Sequence, residues 1–85
     1  MELTTLEIRM LLKCDEGLLK RNYVSQLYKA YSAEDREKAM NALINYGLVE
    51  AKEMPKPGAK ITPVFYRITN KGKAWVKDYL DNYPK

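Results

Sequence analysis

Histidine is absent from this chain of 85 residues, and cysteine occurs once, at Cys14. A lone cysteine cannot form an internal disulfide, and without histidine it has no imidazole to act as its base. The sequence has no zinc or calcium ligand spacing and no glycine-rich phosphate loop. It also has no signal peptide and no apolar run long enough to span a membrane. We therefore expect a soluble cytoplasmic protein that is not an enzyme and has neither cofactor nor metal.

The net charge of +4 is unevenly distributed along the chain. Residues 1–46 carry seven basic and seven acidic residues, whereas residues 47–85 carry eight basic and four acidic ones. An excess of positive charge on one segment suits contact with a polyanion. The same lysines are equally compatible with a solvated surface that keeps a small domain in solution. With 46% hydrophobic residues, the chain is expected to fold as one domain over residues 1–85.

Two helices are predicted in the first third of the chain. Thr4 and Glu7 have the spacing of a capping box, and Gly17 follows the predicted end of the first helix. Residues 18–21 are expected to form a short strand or an extended link. A second helix should start at an Asn22 N-cap, and its inward positions are Val24, Leu27 and Tyr28. The next connection is short, so the second and third helices should pack at an angle, as in a helix-turn-helix.

The third helix has the clearest pattern. Ser32 is its predicted N-cap and Gly47 its C-terminal stop. The predicted apolar face consists of Ala39, Met40, Leu43 and Ile44, and the opposite, exposed face of Glu34, Lys38, Asn41 and Asn45. Arg36 falls on the inward side, where we expect its stem at the edge of the core and its head in water.

A hairpin and a last helix complete the predicted order. The strands are expected at residues 48–54 and 61–69, with Pro63 at an edge or bulge. Thr69 then caps a helix with a continuous apolar stripe of Trp75, Val76, Tyr79, Leu80 and Tyr83. This stripe is interpreted as a dimer interface, slightly ahead of closing the monomer's own core.

Residues 32–80 resemble the winged helix-turn-helix domains of MarR and PadR regulators. The resemblance is carried by Ala39-Met40-x-x-Leu43-x-x-x-Gly47-Leu48-Val49 and by Tyr66-Arg67-Ile68-Thr69-x-x-Gly72. It implies an α+β, mostly α fold with three helices, a two-stranded wing and a C-terminal helix. The helix-turn-helix would occupy about residues 22–46, the wing about 48–69 and the last helix about 70–83. In such families the third helix enters the major groove, the hairpin touches the phosphate backbone or minor groove, and terminal helices often dimerise.

Two functions remain open on this evidence. The favoured one is a dimeric regulator that binds double-stranded DNA through Lys38, Asn41, Asn45, Lys52, Lys56, Lys60 and Arg67, helped by Lys20, Arg21 and Lys29. The alternative is a protein-interaction adaptor, because the third helix opens with Glu34, Asp35 and Glu37, and carboxylates repel phosphates.

Overall fold

Four helices and three short strands make up residues 2–82, the part of the chain that the structure describes. The computed structural model describes residues 2–82, apart from the side chains of residues 22 and 25. In chain order the elements are α1 Thr5–Asp15, β1 Leu19–Lys20, α2 Arg21–Leu27, α3 Ala33–Asn45, β2 Val49–Glu53, β3 Val64–Ile68 and α4 Asn70–Asn82. This is the predicted α+β order, and the fold is that of a winged helix.

The sheet has one strand more than the two-stranded wing that was predicted. Its order is β1-β3-β2, and both pairings are antiparallel. Residues 18–21 were expected to be a strand or a link, and Leu19 pairs with Tyr66 across β3. The predicted start of the returning strand at Ile61 is wrong, since β3 begins at Val64. Pro63 has no N–H to donate, and the ladder beyond β2 continues only through the Met54 N–H, which donates to the Pro63 carbonyl at 3.0 Å.

The core lies between α1, α3, α4 and the inner face of the sheet. Its most deeply buried large side chains are Met10, Leu11, Leu43, Leu48 and Val49, together with Cys14. The predicted inward position of Leu27 is wrong, because its side chain is 38% exposed. Helix α2 has only seven residues and ends there, so the partly buried Tyr28 packs against the core in its place.

Helix α3 has the expected boundaries. The Ser32 hydroxyl accepts from the Asp35 N–H at 3.0 Å, and Gly47 adopts φ 76°, the left-handed conformation that ends many helices. The expected position of the Arg36 head in water is wrong. Its guanidinium donates to the carbonyls of Tyr28 and Tyr31 at 3.1 and 2.9 Å, so it binds the turn between α2 and α3.

Asn22 is not the N-cap of α2. The helix begins at Arg21, and its N-cap is Lys20, whose side chain makes no capping hydrogen bond. Pairing of β1 with β3 extends the backbone up to Lys20, and the helix starts directly afterwards. The capping box of Thr4 and Glu7 on α1 is confirmed, with both reciprocal hydrogen bonds present.

The N-terminus of α4 is tied to the end of α3 and lies close to the start of β2. The Thr69 hydroxyl accepts from the Gly72 N–H at 3.0 Å and donates to the Gly47 carbonyl at 2.6 Å, so Thr69 caps α4 and also holds the end of α3. A Cβ at Gly72 would lie 2.2 Å from the Leu48 carbonyl oxygen and 2.6 Å from Ile68 Cγ1. Only glycine permits this close approach of α4 to the start of β2.

Candidate nucleic-acid interface

The exposed face of α3 carries two amides and one lysine. Asn41, Asn45 and Lys38 are all exposed, as the helical period predicts. Lys38 Nζ lies 3.1 Å from Glu34 Oε1, one turn earlier, and the two side chains are 72% and 75% exposed. A pair so open to solvent is weak. Lys38 can therefore exchange Glu34 for another anion at little cost.

A cleft of about 330 Å³ separates α3 from α2 and β3. Asn41 and Glu37 line it from α3, Arg21 from the start of α2 and Tyr66 from β3. The Arg21 Nε donates to the Tyr66 hydroxyl at 3.0 Å, and its guanidinium carbon lies 5.9 Å from the centre of the Tyr66 ring. The hydrogen bond to Tyr66 raises the pKa of Arg21, and the charges of Glu37 and Glu53 act in the same direction. Arg21 is thus bonded to Tyr66, and the charges of Glu37 and Glu53 also favour its charged form.

The three acids at the start of α3 do not form one acidic surface. Glu34 is paired with Lys38, and Glu37 lies in the field of Arg21. Asp35 lines a different groove, the one between α3 and the start of α1. Glu37 and Asp35 therefore face two different grooves, while Glu34 lies on the exposed face in a weak pair with Lys38.

The outer face of the sheet carries a basic row. Lys20 and Lys52 are the direct partners of Phe65 on its two sides in the antiparallel register, so the three side chains share one face. The Lys20 ammonium lies 5.8 Å from the centre of the Phe65 ring. Two lysines therefore flank one aromatic ring at the base of the wing.

A tight turn forms the tip of the wing. The Ala59 N–H donates to the Lys56 carbonyl at 3.1 Å, and Gly58 has φ 81°. Proline followed by a glycine of positive φ is the signature of a type II turn, which Pro57 and Gly58 supply here. Residues 54–62 are all exposed, and this loop contains Lys56 and Lys60 but no acidic residue.

Arg67 shares the outer face of the sheet with Phe65 and Lys52, but its head is engaged by an acid. Its guanidinium forms an ion pair with Glu50, its partner across β2 and β3. It lines a polar cleft together with Thr69 and Lys73, next to the start of α4. Tyr66, the preceding residue, instead faces the cleft beside α3. Lys56 lines a groove with Lys20 and Arg21 on the α2 side of the molecule, whereas the Arg67 head is held in an ion pair with Glu50.

The apolar stripe of α4 divides between the core and the surface. Val76 is 3% exposed and belongs to the core of the chain itself, whereas Leu80 is 54% exposed. Trp75 and Tyr79 stack with ring centres 5.2 Å apart and planes 12° from parallel. Tyr83, the last member of the predicted stripe, lies outside the described residues.

Cys14 is buried in the core, and burial raises the pKa of its thiol to about 12. Among residues 2–82, no group of three or more histidine, cysteine or carboxylate side chains is placed to hold a metal ion. Nor does the described part of the chain contain a helix with the length and apolar character of a membrane span.

Comparison with known proteins supports the fold alone, and it does so through a structural match. No protein-family model matches the chain, and no curated protein matches it in sequence. In three dimensions it is similar to the crystal structure of Bacillus subtilis PadR in complex with operator DNA, with a TM-score of 0.76 and 19% sequence identity. The match covers 96% of this chain and 50% of that one, so the chain spans half the length of the PadR protein.

Two features of this surface were not predicted from the sequence. The bond between Arg21 and Tyr66 joins residues 45 positions apart, and no local pattern signals such a pair. Ile61 was expected inside a strand, yet its side chain is 82% exposed. Its neighbour Pro63 was the available signal, since a proline two residues later disfavours a paired strand at that point.

Proposed function

We propose that the chain is a DNA-binding transcription regulator that places α3 in the major groove and the wing on the neighbouring backbone. One observation carries this proposal: α3 has an exposed face with two amides, and the hairpin that begins just after it carries an exposed loop with two lysines and no acid, while Thr69 at the end of that hairpin is bonded to the end of α3. The likeness to PadR, a protein solved on operator DNA, supports the same arrangement. The adaptor alternative has less support, because the acids of α3 are divided between two sides of the helix.

The basic residues have separate roles in this proposal. Lys52, Lys56 and Lys60 on the wing hold phosphates, with Lys20, Arg21 and Lys29 contributing from the region of α2. Asn41 and Asn45 read base edges, since an amide can both accept from and donate to adenine in the major groove. Lys38 exchanges its weak pair with Glu34 for a phosphate or a guanine edge. The pair with Glu50 makes Arg67 the least available cation of the set.

A dimer through α4 is the second part of the proposal. Leu80 is more than half exposed and adjoins the stacked rings of Trp75 and Tyr79, which gives the chain an apolar surface that a second copy can cover. Val76 is excluded from this surface by its burial. Replacing Tyr79 and Leu80 with Glu is expected to give a folded monomer in analytical ultracentrifugation. A variant that sediments like the unmodified chain would refute the α4 interface.

The role of the wing is tested with a double variant and a charge-matched control. Lys56→Ala with Lys60→Ala should weaken binding by a similar factor on every duplex. Because each phosphate contact contributes about 0.9 to the slope of log K against log salt, the slope should fall by about 1.8. Lys73→Ala with Lys77→Ala removes the same charge from exposed positions on α4 and should leave most of the slope intact. Equal losses in both double variants would mean that only net charge matters and that the wing does not touch DNA.

A further inference from the structure

The wing carries an exposed isoleucine, Ile61, that does not pack in the core of the domain. Ile61 is 82% exposed, the highest value among the large apolar side chains of residues 2–82. Met54, near the opposite end of the loop, is 40% exposed. Ile61, Met54, Pro55 and Pro63 line one groove of the wing, so the exposed apolar side chains form a patch, and such a patch marks a contact site for a partner.

The loop that carries Ile61 is restrained before any partner binds. Pro55, Pro57 and Pro63 each fix one backbone torsion. The turn bond from Ala59 to Lys56 and the bond between Met54 and Pro63 close the loop at its tip and at its base. Restricting the free loop in this way lowers the entropy that is lost when it is ordered on a partner.

Charge decides what kind of partner fits. Lys60 directly precedes Ile61, and Lys56 lies on the other side of the turn. On the α2 side, Lys20 and Arg21 line a groove of about 440 Å³ together with Lys56 and with apolar wing residues, Ile61 among them. An apolar patch near these four cations suits a partner that offers apolar surface between two rows of negative charge. The minor groove of DNA has that character, since its sugar walls and base edges lie between two phosphate backbones.

We propose that Ile61 enters the minor groove beside the α3 site and wedges into a base step, bending the DNA while the flanking lysines hold the two backbones. Apolar side chains that enter this groove unstack a step and kink the duplex, and the bend brings more protein surface into contact. Pyrimidine–purine steps such as TA deform most easily, whereas A-tracts are stiff. The chain therefore prefers a TA step under the wing without a hydrogen bond to either base. This inference rests on the proposed DNA-binding function.

The experiment compares the unmodified chain with Ile61→Ser on two duplexes of about 30 base pairs, one with TA steps at the wing position and one with an A-tract there. Anisotropy gives the affinity and its salt slope, and energy transfer between dyes on the two ends gives the bend. Ile61→Ser should bind the TA duplex about tenfold more weakly with an unchanged salt slope, and it should lose both the bend and the preference for TA. Leu18→Ser, at a 51% exposed position outside the wing, is the control for removing an exposed apolar side chain.

The outcomes distinguish failure of the Ile61 wedge from failure of the proposed DNA-binding function. If Ile61→Ser binds and bends DNA as the unmodified chain does, the wedge is refuted and the binding function stands. A loss of affinity without any change in bend would also overturn the wedge, because Ile61 would then be only a groove contact. Failure of the unmodified chain to bind either duplex would refute the proposed function itself. Thermal unfolding of Ile61→Ser should be unchanged, since the side chain is exposed.

Discussion

Replacing Gly72 with alanine tests how α4 positions the wing. In an ordinary helix this change would stabilise the chain by about 1 kcal/mol. Here the new methyl group would lie 2.2 Å from the Leu48 carbonyl oxygen, more than 1 Å short of ordinary contact, and 2.6 Å from Ile68 Cγ1. The carbonyl also accepts the Thr69 N–H at 3.0 Å, so it cannot move away without loss of that bond. We expect an overpacking cost near the upper end of the usual range, about 3 kcal/mol, and a net loss of about 2 kcal/mol.

The assay is thermal unfolding followed by circular dichroism, in which a net loss of this size lowers Tm by about 8–16 °C for a domain this small. The matched control is Ala74→Gly, at an exposed position on the same helix, which should cost only about 0.5–1 kcal/mol. Helix propensity alone predicts that Gly72→Ala stabilises the chain. An unchanged or raised Tm for Gly72→Ala would therefore refute the close approach of α4 to β2.

Three further predictions address the turn before α3, the buried thiol and the acidic start of α3. Arg36→Met keeps the apolar stem but removes hydrogen bonds to two backbone carbonyls. Urea unfolding should therefore show a free energy of unfolding lower by about 1–3 kcal/mol. An unchanged free energy of unfolding would mean that water replaces the guanidinium. Burial raises the pKa of Cys14 from its ordinary 9.0 to about 12, so only the unfolded chain loses the thiol proton between these values. The free energy of unfolding of the chain should therefore fall as pH rises from about 9. In Cys14→Ala, which has no thiol to titrate, the free energy of unfolding should fall less over the same pH range. Glu37→Gln, in the cleft with Arg21, should raise DNA affinity about two- to threefold in anisotropy. Asp35→Asn, on the α1 side, should have a smaller effect. Equal effects would contradict the placement of Glu37 and Asp35 on different sides of α3.

Features specified by neighbouring residues were predictable from the sequence. The capping box at Thr4, the Ser32 cap and the stop at Gly47 each depend on a few adjacent positions, and all three are present. The Thr69 cap on α4 belongs to the same class. The buried face of α3 follows from the helical period, which needs no knowledge of the partner elements.

Features that depend on distant partners were not predictable. The residues of β1 become a strand only because β3 lies beside them, and two residues contain no periodicity to detect. The head of Arg36 was expected in water because the carbonyls it binds are exposed by the geometry of the α2–α3 turn, which the sequence does not encode locally. The same holds for the Arg21 bond to Tyr66, and for the groups that offset the acids of α3.

The central claim is that this chain binds DNA through electrostatic contacts of its wing and α2. The most direct test is to titrate a labelled random-sequence duplex with the protein at about 50 and 200 mM salt. We expect binding with a Kd of about 1–100 μM at the higher salt, tightening by orders of magnitude at the lower salt as counterions are released from the phosphates. No binding at about 50 mM salt, or an affinity that does not change with salt, would contradict the account and make a protein partner for α3 the next hypothesis to test.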